Sequence, residues 1–155
     1  MILVNINATN LHDMIKLIHV FISVTFLFVA IVLFTRSISG IINGKPYTII
    51  DKYLAFVFIV MLYVQLILGF LLFTSFGPFA GYDFLGGDSS VRVASNRLWP
   101  IQHIVLMFFA LLIATLGLIL SGKTNLAKEK HKKVVYYYLI SIVIIAQSLC
   151  VIYLF

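Results

Sequence analysis

The segment YLAFVFIVMLYVQLILGFLLFTS at residues 53–75 decides the fold of this chain, because its 23 residues include no charged side chain. A helix needs about 20 mostly apolar residues to cross the hydrocarbon core of a bilayer. The whole chain has the same character: 63% of its 155 residues are hydrophobic and 10% are charged. This composition lies far from that of a soluble domain. We therefore predict an integral membrane protein.

Three other apolar stretches are long enough to span a bilayer, at about 14–35, 100–120 and 134–155. Two of the three connections are short, so they join neighbouring helices. The sequence thus predicts an all-α fold, an integral membrane four-helix up-down bundle that forms one domain over residues 1–155. The third connection, a 24-residue loop from about 76 to 99, is expected to cap one face of the bundle.

The distribution of basic residues predicts the orientation of the bundle. One side has Lys16, Arg92 and Arg97, and the other has Arg36, Lys45, Lys52, Lys123, Lys128, Lys130, Lys132 and Lys133. Loops rich in Lys and Arg face the cytoplasm, so both termini are predicted to face outward. The net charge of +6 then reflects topology and contact with anionic lipids, because the basic residues flank the spans. We expect no nucleic-acid partner.

Polar residues inside the predicted spans are the first candidates for function, because they are costly to bury in lipid. They are His19, Ser23, Tyr63, Gln65, Gln102, His103, Thr115, Gln147 and Ser148. No acidic residue falls inside the predicted spans, which argues against a carboxylate proton relay, a cation pump or a hydrolase. Zinc-ligand spacings, phosphate-binding loops and nucleophile elbows are also missing from the sequence.

His19 and His103 form the pair with a plausible shared role. Both follow the start of an inward-running helix, and a rise of about 1.5 Å per residue puts both about 5–8 Å below the surface. Two imidazoles at one depth are typical axial ligands of a b-type haem. Gly69, at the same depth on the second helix, would leave room for a flat macrocycle. In this hypothesis Arg97 and Trp99 lie toward the haem propionates.

Ordinary structural roles stand beside each of these assignments. A histidine near the membrane interface is more often a hydrogen-bonded structural residue than a ligand. Gly69 and Gly117 are small residues suited to close helix packing, and Arg97 suits an anchor at the lipid headgroups. Tyr63 and Gln65 are expected to hydrogen-bond within the bundle. We expect His131 to lie in a solvated basic boundary.

The motifs GKPYTIIDK, YVQLILGFLLF, NRLWPIQH, ATLG and KHKK, in this order and spacing, resemble those of short, four-span bacterial membrane proteins labelled cytochrome-b-like. The resemblance covers nearly the whole chain from about residue 17. It implies a bacterial inner membrane location with periplasmic termini, and a shared site for His19 and His103. The family usually has histidine where this chain has Tyr63, arginine at Ser23 and glutamate at Gln102.

Three functions remain open at this stage. The first is a membrane cytochrome that holds haem b and exchanges electrons with a quinone or a partner subunit. The second is a non-catalytic accessory subunit of a larger membrane complex, and the third is a small transporter or channel, which the lack of charge inside the spans disfavours. Other membrane subunits or further copies of the chain are expected to dock on the last span, through Ser141, Ala146, Gln147, Ser148 and Cys150.

Overall fold

The protein consists of four long helices. A computed structural model describes the backbone of residues 2–76 and 91–154, and the side chains of residues 11, 13–74 and 101–149. The helices are α1 (Ile2–Asn43), α2 (Ile49–Phe76), α3 (Val91–Gly122) and α4 (Ala127–Leu154). All four are long and apolar enough to cross a membrane, over Asp13–Asn43, Ile49–Thr74, Ile101–Gly122 and Ala127–Leu149. The all-α, multi-pass prediction is confirmed.

Each helix extends beyond the apolar stretch that predicted it. The largest differences are at the start of α1 and of α3, which begins at Val91 instead of near residue 100. The second part of the predicted 76–99 loop is therefore helical, and residues 77–90 lie outside the described part of the chain. Hydropathy finds the part of a helix that lies in hydrocarbon, whereas backbone hydrogen bonding continues through polar flanks.

The connection between α1 and α2 is built from local capping interactions. Gly44 has a φ angle of +62° directly after α1, the left-handed conformation that commonly ends a helix. At the start of α2, the backbone N–H and the hydroxyl of Thr48 donate to Asp51 Oδ2 at 2.8 and 2.6 Å. The bond from the Thr48 N–H to Asp51 is one half of a capping box. Asp51 therefore lies in the first turn of a spanning helix, before the apolar stretch at 53–75, and is 2% exposed.

The helices are arranged in a ring in chain order. α1 packs against α2 and α4, and α3 packs against the same two helices, so α1 and α3 face each other diagonally. Inward-facing positions recur at alternating spacings of four and three residues, for example 26, 30, 33, 37 and 40 on α1 and 131, 134, 138 and 141 on α4. This spacing is the seam of coiled-coil packing, the usual geometry of up-down bundles.

Aromatic side chains fill the middle of the bundle. The ring of Phe58 lies 4.6 Å from that of Phe26 on one side and 4.6 Å from that of Tyr138 on the other, measured between ring centroids. The fully buried hydroxyl of Tyr138 donates to the carbonyl oxygen of Ala55 at 3.0 Å, across the diagonal from α4 to α2. This hydrogen bond satisfies the polar end of a large side chain that packs in an apolar core.

Two glycines let α4 approach its neighbours closely. A Cβ added at Gly117 of α3 would lie 3.2 Å from Tyr138 and closer still to Tyr137, and one added at Gly40 of α1 would lie less than 3 Å from the ring of His131. The predicted packing role of Gly117 is confirmed. Small residues that admit a neighbouring helix are common between membrane helices.

Candidate functional site

Polar side chains from all four helices meet inside one end of the bundle. His19 and Ser23 come from α1, Gln65 from α2, His103 from α3 and Ser148 from α4; we call these five residues the polar layer. Gln65 and Ser148 are 4% and 1% exposed, so the layer lies in the interior. Hydrogen bonds link His19 to Gln65 and His103 to Ser148, so both histidines lie at this end of the bundle. The shared site expected for the two histidines stays a prediction.

The imidazole of His103 is held by α4. Its Nδ1 lies 3.0 Å from Ser148 Oγ, and the hydroxyl of Ser148 also donates to the carbonyl oxygen of Ile145 at 2.6 Å. Because the hydroxyl of Ser148 donates to this carbonyl, its oxygen can accept a hydrogen bond from Nδ1 of His103. The neutral ring would then carry its hydrogen on Nδ1. Contacts of this kind orient the histidine ligands of metal sites.

His19 is linked to the layer mainly through its backbone. Gln65 Nε2 donates to the carbonyl oxygen of His19 at 3.0 Å and to Ser23 Oγ at 2.8 Å, and Ser23 Oγ donates to the same carbonyl at 2.8 Å. Two buried atoms in this group have no hydrogen-bond partner among the described residues, His19 Nδ1 and Gln65 Oε1. Unpaired buried polar atoms are uncommon and are candidates for binding an absent group.

Gly69 lies beside the ring of His19. A Cβ at this position would be 3.9 Å from His19 Cε1, an ordinary contact distance, and no other described side chain or neighbouring helix comes within 4 Å. The contact joins α2 to the imidazole on α1. Gly69 therefore borders the polar layer, as expected. The space beside it is open, unlike the space beside Gly40 and Gly117.

Several other predicted site residues fall outside the polar layer. Arg97 and Trp99 precede His103 on α3, and their side chains lie outside the described residues. Tyr63 is 49% exposed, so the expectation that it hydrogen-bonds inside the bundle is wrong, whereas the corresponding expectation for Gln65 is confirmed. Gln102 is also exposed. Two of the three departures from the cytochrome-b-like pattern, at Tyr63 and Gln102, therefore lie on the outside of the bundle.

The predicted docking face on α4 is partly internal. Ser141 is fully buried and donates to the carbonyl oxygen of Ala110 at 2.9 Å, and Ser148 belongs to the polar layer. Both face the bundle because they share the four-and-three spacing of the buried positions. Ala146 and Gln147 are exposed, and the side chain of Cys150 lies outside the described residues.

A second polar cluster, missed by the hydropathy pattern, lies at the opposite end. Arg36 Nε donates to Asp51 Oδ1 at 2.9 Å, and Thr48 donates to the other carboxylate oxygen. His131 is 1% exposed, which corrects its predicted solvated position; it packs on Gly40 and on the edge of the Tyr47 ring. The lysine-rich sequence around His131 concealed this burial, because only one face of that turn points inward.

Tyr47 lies between His131 of this cluster and the ammonium group of Lys130. Burial raises the pKa of Tyr47 to about 12, with a further increase from the negative charge of Asp51, while the hydroxyl of Ser121 acts in the opposite direction. The ammonium group of Lys130 lies 5.8 Å from the centre of the Tyr47 ring, within the range of a cation–π interaction. Tyr47 therefore remains neutral at physiological pH, and its buried hydroxyl has no hydrogen-bond partner among the described residues.

Comparison of the chain with protein-family models, with curated proteins and with solved structures finds no match. The residues of the polar layer are therefore the basis for the function proposed below. Among the described side chains, no three His, Cys, Asp or Glu residues converge as a metal-binding group. The polar layer offers a metal two histidines, and two protein ligands are enough to hold a six-coordinate haem iron because the porphyrin supplies the other four.

Proposed function

We propose that this protein is a membrane electron carrier that holds one b-type haem in the polar layer, with His19 and His103 as the axial ligands. The observation that carries the proposal is the placement of these two histidines, on diagonally opposed helices, among the polar side chains at one end of the bundle. The resemblance to cytochrome-b-like proteins points to the same pair. The proposed location is a bacterial inner membrane with periplasmic termini, and the proposed partners are a quinone or other membrane subunits.

The chemistry of the surrounding residues fits such a group. His103 is oriented through Nδ1 by Ser148, as metal-bound histidines usually are. His19 has a buried ring nitrogen without a partner among the described residues, and the face of Gly69 beside it has space. Arg97 and Trp99, earlier along α3, are the proposed residues nearest the propionate groups. Haem supplies a reversible one-electron couple when bound.

The protein's contribution is to hold two neutral imidazoles and to limit access of water. The apolar side chains of Leu62, Phe26 and Met107 close the layer on the side of the bundle centre. A low dielectric environment disfavours added charge, so the extent of burial tunes the reduction potential. Gln65 and Ser23 fix the backbone of α1 at His19 and so hold that ligand in place.

The test is a reduced-minus-oxidised visible spectrum of the purified protein, with haem measured per folded chain. We expect haem bands in the wild type and their loss in His19→Ala and in His103→Ala, because each substitution removes one axial ligand. His131→Ala is the matched control, since it removes a buried histidine at the opposite end and should retain haem. A colourless wild type, or full haem in both site variants, would exclude the proposal.

Ser148→Ala tests the positioning role of α4. We expect haem to bind with roughly 10-fold to 100-fold lower affinity, the usual effect of removing the partner of a metal-bound histidine. Ser141→Ala is a suitable control, because it removes another buried serine hydroxyl from α4 that bonds to a backbone carbonyl away from the layer. A haem titration of both variants, followed by absorbance, distinguishes them. Equal affinities would assign Ser148 to packing alone.

One observation favours the second function, a scaffold within a larger membrane complex. The layer already has internal hydrogen bonds between Gln65 and Ser23 and between His103 and Ser148. Such bonds join helices without any cofactor. A colourless protein that co-purifies with other membrane subunits would support the scaffold, and the outer residues Ala146 and Gln147 of α4 are the proposed contacts.

A further inference from the structure

Two adjoining cavities open at the end of the bundle opposite to the polar layer. The larger has a volume of about 380 Å³ and is lined by residues that include Arg36, Lys45, Asp51 and His131. The smaller, of about 290 Å³, is lined by residues that include Tyr47, Lys52 and Lys130. Thr48 lines both cavities. Their volumes are at the lower end of the range for small-molecule sites.

The charged groups around the two cavities have an excess of positive charge. Arg36, Lys45, Lys52 and Lys130 are cationic, and Asp51 is the acidic residue that lines the cavities. The carboxylate of Asp51 already accepts hydrogen bonds from Arg36 and from the backbone and hydroxyl of Thr48. The carboxylate of Asp51 is therefore already paired. No other acidic side chain among the described lining residues balances the positive charge of the lysines. Such a lining favours an anionic ligand.

His131 supplies a buried donor to the same place. It lines the larger cavity, it is 1% exposed, and neither of its ring nitrogens has a hydrogen-bond partner among the described residues. A histidine ring carries at least one N–H in every protonation state. Leaving such a group buried and unpaired is unfavourable. Because the Nε2 edge of the ring packs against Gly40, a ligand oxygen in the cavity would have to reach Nδ1.

The position of the cavities along the membrane normal indicates which class of anion would bind there. They lie where the span of α1 ends at Asn43 and that of α2 begins at Ile49, which is the level of the lipid headgroups. The guanidinium group of Arg36 donates from Nε to Asp51 and from Nη2 to Thr48 Oγ1 at 3.4 Å. It retains further N–H groups suited to phosphate oxygens. Basic pockets between helices at this level bind phospholipid headgroups.

We propose that these two cavities form a binding site for a phosphate ester, the headgroup of an anionic phospholipid. Lys45 and Arg36 bind the phosphate oxygens, His131 donates a hydrogen bond from inside the bundle, and Lys52 and Lys130 favour the negatively charged lipid. The site is independent of the haem proposal, because His19 and His131 lie in clusters at opposite ends of the bundle. Haem content and lipid binding are therefore separate measurements.

Native mass spectrometry of the delipidated, full-length chain tests the proposal. The protein is titrated with short-chain phosphatidylglycerol, with short-chain phosphatidylcholine and with inorganic phosphate as a competitor. We expect phosphatidylglycerol to bind about tenfold more tightly than phosphatidylcholine, and both Lys45→Gln and His131→Leu to weaken binding about tenfold, the size expected for one charge-assisted hydrogen bond. Lys123→Gln and Lys128→Gln, lysines at the same end that line neither cavity, are the controls.

The competitor identifies the source of the phosphate. If millimolar inorganic phosphate displaces the lipid, and Lys45→Gln removes this effect, the same site serves free phosphate. Equal weakening in Lys45→Gln and in both control variants would show a diffuse charge effect and overturn the proposal. Equal binding of the two lipids without competition by phosphate would overturn it as well. Lys45 is exposed, so its variant tests the proposal even if His131→Leu fails to fold.

Discussion

Arg36→Met is expected to lower the free energy of unfolding by about 3 kcal/mol. The substitution leaves the carboxylate of Asp51 buried without its counter-ion, and the side chain of Asp51 is 3% exposed whereas that of Arg36 is 40% exposed. Breaking a buried pair typically costs about 3–5 kcal/mol. We expect a value at the lower end of this range because Arg36 is partly exposed and because Asp51 keeps its two hydrogen bonds from Thr48. Denaturant titration of the protein in mixed micelles measures it.

The chain contains a matched exposed pair for comparison. Lys132 Nζ lies 2.8 Å from Glu129 Oε1, and both side chains are more than 40% exposed. Lys132→Met removes this salt bridge, and we expect a change of less than about 0.5 kcal/mol, as for most solvated pairs. Adding Asp51→Asn to Arg36→Met should restore part of the lost stability, because the buried charge disappears. Equal effects of Arg36→Met and Lys132→Met would contradict this account.

Gly40→Ala is expected to destabilise the bundle by about 2 kcal/mol. The added methyl group would lie less than 3 Å from the ring of His131, which is packed against Tyr47 on another side and has little space to retreat. Overpacking of this kind costs about 1–3 kcal/mol, and the better helix propensity of alanine offsets up to about 1 kcal/mol. The same unfolding titration gives the value.

Gly69→Ala is the control for this substitution, because a methyl group there meets one atom at 3.9 Å. It should be neutral or slightly stabilising. In a His131→Ala background the obstructing ring is absent, so Gly40→Ala should then cost less than in the wild type. If the cost of Gly40→Ala is the same with and without His131, the steric explanation is wrong.

The fold was predictable because the hydrophobic effect dominates it, and the strength of that effect follows from the apolar composition of each stretch. The apolar stretch at 53–75 is long enough to require a membrane, and short connections leave neighbouring helices antiparallel. The helix ends were less predictable, because they depend on capping contacts such as Thr48 with Asp51. A charged residue near a span boundary suggests a loop when hydropathy alone is considered. Asp51 shows that a helix accepts such a residue when its charge is paired.

The candidate site was predictable in part for a similar reason. Equal depth along α1 and α3 follows from helix geometry, so His19 and His103 were expected to meet. The role of Ser148 depends on which face of α4 points inward, and the four-and-three spacing from Val134 to Ser148 carries that information in the sequence. The burial of His131 was hidden by its lysine neighbours, and Arg97 and Trp99 stay predictions.

The rings of Phe26, Phe58 and Tyr138, which pack at tilted angles of 49°, also affect the movement of ions. On α1, Phe26 lies between His19 and Arg36, so these rings separate the two polar clusters. An ion that crosses this zone exchanges water for a medium of low dielectric constant, at a large energetic cost. The middle of the bundle therefore insulates one membrane surface from the other.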